Sequence, residues 1–299
     1  MKLFSYSTTN RQMKIGIEID NRQYNFTQLW EIFKDIKGSH QTPPLMFLQV
    51  MIELTFFNLS DIKEVLDTVQ KFRSLNDLRI IDQINFETPI SRPQKILCIG
   101  RNYLAHAKEL GNKKTGEPIF FAKMPSTLIP HKGRIQLPLD VGRVDHEIEL
   151  AVVISRQCKN IPPANAMDYV AGFTIINDIT ARALQKSDIE KQHPWLRSKN
   201  FDTFCPIGPY LVPTAAIAAP QNLNLTLKVN GEVRQKSNTS KMIFKIPELI
   251  SYLSKYMTLF PGDIIATGTP EGISELHSRD IIEAEIDELG KLENVVVSS

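Results

Sequence analysis

Apolar and polar positions change their pattern along the chain at about residue 90. In 14–19 (Lys-Ile-Gly-Ile-Glu-Ile) they alternate as on a half-buried strand, and Asp20-Asn21 supplies the turn of a hairpin returning through 23–26. Thr27 is placed to cap a helix over 28–36 that Gly38 ends. Pro43-Pro44 opens a run, 45–58, that is apolar almost all round. Asp61 is placed to cap a further helix through Phe72, with Ile62, Val65, Leu66 and Val69 at helical spacing. None of these segments gathers chemically useful side chains, so 1–90 is expected to be a small N-terminal accessory domain.

Pro89 and Pro93 mark an extended connector. Beyond them, short apolar runs broken by Gly and Pro predict strands over 95–100, 119–123, 147–155, 170–176, 223–229, 264–267, 281–286 and 292–297. Helices are fewer, expected over 163–167, 180–191 and 246–256, and 101–112 has helical composition. Many strands at irregular spacing predict an α+β, β-dominated fold for 91–299, a mixed β-sandwich roll rather than a doubly wound sheet.

Composition narrows the function by exclusion. Hydrophobic content of 42% and charged content of 23% in 299 residues are those of an ordinary globular enzyme or binding protein. The net charge is +2 and the basic residues are scattered, which argues against a nucleic-acid partner. No apolar stretch reaches the roughly 20 residues a membrane helix needs, and the first residues lack the apolar core of a signal peptide. Cys98, Cys158 and Cys205 are an odd number, widely spaced in apolar surroundings, the pattern of buried free thiols in a reducing compartment. A cytoplasmic enzyme is the expectation.

The chemistry starts at Glu147 and Glu149, in Val-Asp-His-Glu-Ile-Glu-Leu-Ala-Val-Val-Ile (144–154). Residues two apart on a strand face the same way, so two carboxylates converge at the head of a buried strand. A divalent cation would relieve their repulsion and desolvation. Asp178, at the end of the apolar run in Gly-Phe-Thr-Ile-Ile-Asn-Asp (172–178), is the candidate third ligand. Three carboxylates without thiols or imidazoles suit Mg²⁺ or Mn²⁺, with Ca²⁺ a weaker match. The same patterns also suit blander roles: a solvated strand face for the glutamates and a helix cap for Asp178.

Other polar residues gather around this set. Arg182 and Gln185 follow Asp178 on one helix face and lean over the same pocket, although Arg182 could instead pair with Asp178. Lys199 has aromatic and apolar neighbours, and a buried lysine needs an anionic partner. Thr267-Gly268-Thr269-Pro270-Glu271-Gly272 follows an apolar strand and suits either a plain turn or an anion cradle of backbone N–H groups and hydroxyls. His106 and Glu109 are three apart in a helical segment, so a carboxylate can orient an imidazole for water activation, or the two can simply decorate a surface. Residues 101–117 have the composition of a closing lid, and 235–244 form a polar stretch without an assigned place.

Taken in order, Gly-Arg-Asn-Tyr-x-x-His-x-x-Glu-Leu-Gly (100–111), Asp-His-Glu-Ile-Glu-Leu-Ala-Val-Val-Ile (145–154), Gly-Phe-Thr-Ile-Ile-Asn-Asp-Ile-Thr-Ala-Arg (172–182), Lys-x-Phe-Asp-Thr-Phe-Cys-Pro-Ile-Gly-Pro (199–209) and Gly-Asp-Ile-Ile-Ala-Thr-Gly-Thr-Pro-Glu-Gly (262–272) resemble the fumarylacetoacetate hydrolase family over about residues 93–297. The resemblance implies a mixed β-roll catalytic domain, commonly a homodimer, with Mg²⁺ or Mn²⁺ on Glu147, Glu149 and Asp178. It implies a functional lysine at Lys199, a catalytic pair at His106 and Glu109, and substrate contacts from Arg182, Gln185 and Thr269. His146, just before the first ligand, is expected to be structural. The activity so implied is metal-dependent cleavage of a C–C bond in a small β-diketo or 2-oxo acid of the acylpyruvate type. Oxaloacetate decarboxylation and isomerisation of an unsaturated 2-oxo acid are the alternatives that share its enolate. A binding protein with a structural Ca²⁺ is the remote one.

Overall fold

The computed structural model of the chain describes residues 1–39, 43–111 and 114–298. Its frame is a 10-stranded sheet. In order across the sheet run Arg22–Asn25, Met13–Ile19, Lys2–Ser7, Tyr210–Pro213, Val170–Asn177, Ile148–Ile154, Ile264–Ala266, Ile96–Gly100 and Ile119–Lys123, and Asn85–Glu87 also pairs with Lys2–Ser7. The pairings are antiparallel except between Ile264–Ala266 and Ile96–Gly100. A second sheet of five strands runs Glu232–Asn238, Asn224–Val229, Ile281–Ile286, Gly290–Ser298 and Arg134–Leu137. This is the strand-rich α+β architecture that the sequence predicts.

The continuous apolar run of Ile148–Ile154 follows from its position, because both of its faces are covered. Leu150, Val152 and Ile154 enter one hydrophobic core, and Ala151 and Val153 enter a second. The same division holds for Leu97 and Ile99 against Ile96 and Cys98, and for Ile265 against Ile264 and Ala266. The first core is closed by the second sheet, through Leu225, Leu227, Ile282, Ala284 and Leu292, and by helix Ile246–Tyr256. The second is closed by the N-terminal helices Phe26–Lys37, Leu48–Glu53 and Leu59–Gln70, through Leu29, Trp30, Met51, Ile62 and Val69. Residues 1–90 therefore share a sheet and a core with the rest of the chain.

Local expectations differ from the structure in informative places. The turn Asp20-Asn21 has φ of 48° and 59°, the left-handed pair that a tight hairpin requires. The helix after it is capped by Asn25, whose side chain accepts from the Gln28 N–H, and not by Thr27. The Thr27 hydroxyl is engaged elsewhere, accepting from the Ile15 N–H and donating to the Leu45 carbonyl. Likewise Asn58, not Asp61, caps Leu59–Gln70. The all-round apolar run 45–58 yields only the short helix Leu48–Glu53, because burial against the sheet rather than periodicity fixes it. Strand Lys2–Ser7, outside the predicted strands, has five of its six residues buried, Ser5 and Ser7 among them. The segment 180–191 begins as a bridge, Thr180–Ala181, and becomes helix only at Arg182. All three cysteines are buried and free. Among the described residues no helix is long and apolar enough to cross a membrane.

His131 sits where the halves of the chain meet. Its ring packs edge-on against Phe86 at 5.0 Å, and its Nδ1 accepts from the Glu293 N–H at 3.0 Å, a role open only to the neutral ring. Burial, with Lys132 beside it, lowers its pKa from 6.5 to about 4. In this window the unfolded chain takes up a proton that the folded protein refuses. Stability is therefore complete above pH 6.5 and is lost progressively as pH falls toward 4. Urea midpoints measured across that window should fall more steeply in the wild type than in His131→Asn, which keeps an acceptor without the basic nitrogen.

Candidate metal centre and active site

The ladder between Ile148–Ile154 and Val170–Asn177 builds the acidic cluster. Ile148 pairs with Asn177, so the next pair outward is Glu147 opposite Asp178, and the Asp178 N–H donates to the Glu147 carbonyl at 2.8 Å. Directly opposed residues share a face, and Glu149 shares it by alternation. Carboxylate oxygens of Glu147, Glu149 and Asp178 all lie within 4.8 Å of one another. None of the three residues is more than 4% exposed. The Asn177 side chain accepts from the Glu147 N–H at 2.8 Å, fixing the strand end.

Cations neutralise part of this charge. Lys199, at the end of helix Leu196–Lys199, donates to Glu147 Oε2 at 2.8 Å and to Asp178 Oδ2 at 2.6 Å. Lys123 donates to Asp178 Oδ1 at 2.7 Å and to the carbonyls of Ile179 and Lys199. Arg182 pairs with Glu147 and, through Nε at 2.9 Å, with Asp145, and donates to Gln185. The sequence also allowed an Arg182–Asp178 pair; here Lys199 and Lys123 occupy Asp178. Burial pushes the Glu147 carboxyl up, but Lys199 and Arg182 outweigh it and hold it well below the usual range. Burial alone would lower Lys199, yet Asp178 and Glu147 keep it firmly protonated.

Glu149 is different. It accepts the Gly268 N–H at 2.6 Å and forms no ion pair among the described residues. Burial, then Asp178 and Glu147, push its carboxyl well above the ordinary value. A carboxylate without an ion pair amid three converging hard oxygens is a place where a divalent cation relieves repulsion, so the donor set fits a hard divalent cation. The loop 267–272 does bring a backbone N–H to an anion, and that anion is the protein's own Glu149. Gly268 is needed there: φ is +99°, and a Cβ would lie 2.7 Å from that of Asn102. The Thr269 hydroxyl donates to the Ile148 carbonyl and accepts from Gln235.

Glu147, Glu149, Asp178, Arg182 and Lys199 line a cavity of about 420 Å³, with His106, Gln185 and Thr269 also in its wall. His106, 4% exposed on helix Leu104–Glu109, places Nδ1 3.1 Å from Glu109 Oε2. Glu109 Oε1 in turn accepts the Gly272 N–H, tying this helix to the loop beside the acidic cluster. Burial would raise the Glu109 carboxyl, but His106 and that N–H lower it below its usual value. All nine candidate residues thus meet in one place. Of the expected lid, Asn112 and Lys113 lie outside the described residues.

Sequence reasoning missed several participants. Lys123 ends an otherwise apolar strand, a signal that a charge was heading inward. Asp145 anchors Arg182 from within the quoted acidic motif. Gln235, in the unassigned polar stretch, is fully buried on strand Glu232–Asn238. It accepts from the Ile148 N–H and, with Ser274, brackets the buried His146 ring. His146, expected to be structural, is fully buried, and both its ring nitrogens are engaged by these two side chains. Replacing Lys123 by Met fills its volume but strips Asp178 of a buried partner. A loss of about 3–5 kcal/mol in urea denaturation at neutral pH is expected, and a loss below about 1 kcal/mol would mean Lys199 alone suffices.

The model of the fumarylacetoacetate (FAA) hydrolase C-terminal domain matches residues 95–297. The mitochondrial oxaloacetate tautomerase FAHD2A of Bos taurus is 45% identical over 222 residues, 72% of this chain and 70% of that protein. The solved structure of a fumarylacetoacetate hydrolase from Exiguobacterium antarcticum aligns over 100% of both chains with a TM-score of 0.80 and 30% identity. That of fumarylpyruvate hydrolase from Pseudomonas aeruginosa, in complex with Mn²⁺ and pyruvate, aligns over 74% of this chain and 94% of its own, with TM-score 0.67 and 34% identity. The matched residues 95–297 include every residue lining the acidic cavity, and the chain belongs to the fumarylacetoacetate hydrolase family.

Proposed function

We propose that this protein is a divalent-metal-dependent enzyme that generates and consumes the enolate of a small 2-oxo acid, and that it cleaves a C–C bond in an acylpyruvate-type substrate by hydrolysis. The observation that carries this reading is His106 in the wall of the acidic cavity, its Nδ1 held by Glu109. With Nδ1–H directed at that carboxylate, Nε2 is the lone pair free to accept a proton. Glu147, Glu149 and Asp178 would hold Mg²⁺ or Mn²⁺, which supplies Lewis acidity toward the 2-oxo acid.

The chain's own groups do the rest. His106 takes a proton from water as that water adds to the distal carbonyl, and Glu109 stabilises the imidazolium that results. Lys199, kept protonated between Glu147 and Asp178, offsets negative charge developing on the 2-oxo acid end. Gln185 and Arg182 stand beside it to position the substrate, and Thr269 lines the same cavity. The tetrahedral adduct collapses with cleavage of the C–C bond, leaving a carboxylic acid and the enolate of pyruvate, and His106 passes the proton it took from water to the enolate carbon to give pyruvate.

A second reading is favoured by the bovine relative, whose name gives oxaloacetate tautomerase as its activity. Keto–enol exchange in oxaloacetate uses the same base and passes through the enolate of oxaloacetate itself, without an attacking water. The cleavage and tautomerase readings separate in one panel: acylpyruvates and oxaloacetate with Mn²⁺ or Mg²⁺, following pyruvate release and the decay of enol absorbance. Pyruvate released from an acylpyruvate supports hydrolysis, and enol decay without pyruvate supports tautomerisation.

His106→Ala should lower turnover by roughly 10²–10⁴-fold while leaving metal binding intact; an unchanged rate would remove His106 from the mechanism. Binding to the folded state alone should raise stability by about 2.7 kcal/mol at a hundredfold excess of Mn²⁺ over Kd. Thermal melts should show that rise in the wild type and in His106→Ala, and show it abolished in Glu149→Gln.

A further inference from the structure

Most cations around the cavity are already engaged. Lys199, Lys123 and Arg182 are all held by carboxylates of the site itself. Arg101, which also lines the cavity, is not. Among the described residues it forms no ion pair, and its guanidinium lies 5.4 Å from the centroid of the Trp195 ring. Partial burial lowers its pKa and no carboxylate raises it. A half-buried guanidinium with an aromatic face on one side and its donor fork unused is a ready anion receptor.

The backbone holds it there. Arg101 has a φ of 59°, in the left-handed region that non-glycine residues seldom adopt. The neighbouring Asn102, fully buried, fixes that turn: its amide donates to the carbonyls of Thr267 and Phe244 and its oxygen accepts the Phe244 N–H. The wall near Arg101 is apolar, from Ile99, Phe121, Ile189 and Trp195. The other cation on the cavity wall, Lys186, is exposed and has Glu190 one turn further along its own helix.

We infer that Arg101, stacked on Trp195, is a specificity-determining residue that binds a second, distal carboxylate, so that the enzyme selects 2-oxo diacids over 2-oxo monoacids. The inference rests on the 2-oxo acid reading of the site and adds what lies at the substrate's other end. A short carbon chain against the apolar wall joins the 2-oxo acid head at the acidic cluster to an anion at the guanidinium fork. Charge-assisted hydrogen bonds of this kind discriminate about tenfold to a hundredfold.

The test measures binding rather than turnover. The Mn²⁺-loaded protein is titrated with 2-oxoglutarate and with 2-oxopentanoate, two five-carbon 2-oxo acids that differ in the distal group. Calorimetry gives Kd, and fluorescence reports Trp195, the other tryptophan, Trp30, being buried in the N-terminal core. The wild type should prefer 2-oxoglutarate about tenfold to a hundredfold, Arg101→Gln should lose that preference, and Arg101→Lys should retain part of it. Equal affinity for the two acids in the wild type, or a preference that survives in Arg101→Gln, overturns the role of Arg101 and leaves the 2-oxo acid reading standing. Failure of both acids to bind with Mn²⁺ present overturns the 2-oxo acid reading, and this inference with it.

Discussion

Enclosed like charges are the constraint around which the molecule is organised. Glu147, Glu149 and Asp178 are forced together at the end of a ladder where water cannot screen them. Their coexistence depends on ammonium and guanidinium groups drawn from distant segments: Lys123 from one strand, Arg182 and Lys199 from two helices. In a low-dielectric interior each contact is strong, and each missing partner is costly. The cluster therefore ties the strand ends, the helix beginning at Arg182 and the loop carrying Gly268 into one unit. Glu149, the member left without a cation, marks where that unit is incomplete.

The arrangement separates two tasks. Groups saturated by one another, such as Arg182 between Asp145 and Glu147, define shape and hold orientation. Groups left with unused capacity, His106 Nε2 and the Arg101 guanidinium, face the cavity. Preorganisation of this kind is what electrostatic catalysis requires, because the dipoles and charges are set before substrate arrives.

Much of this was legible in the order of residues. The Glu147–Glu149 spacing predicts a shared face because alternation is a local property of a strand, and His106 and Glu109 meet because three residues make nearly one helical turn. What was not legible depends on pairing across long separations. Nothing in 172–178 alone shows that Asn177 sits opposite Ile148, which is what brings Asp178 to Glu147. Gln235 became interpretable only once its strand lay beneath Ile148 and Pro270. The capping positions at Thr27 and Asp61 were misjudged because an asparagine two or three residues earlier offered the better-placed acceptor.

Strand Lys2–Ser7 hydrogen-bonds to Tyr210–Pro213 through Leu3–Leu211 and Phe4–Tyr210, and Asn85–Glu87 continues along the same side of Lys2–Ser7. Without the N-terminal segment, Tyr210–Pro213 would be left with unpaired N–H and C=O groups along its margin, above an uncovered apolar floor. Such a margin is a template for another chain's strand. The N-terminal segment thus acts as a selvedge, moving the margin of the sheet from Tyr210–Pro213 out to the short polar strand Arg22–Asn25.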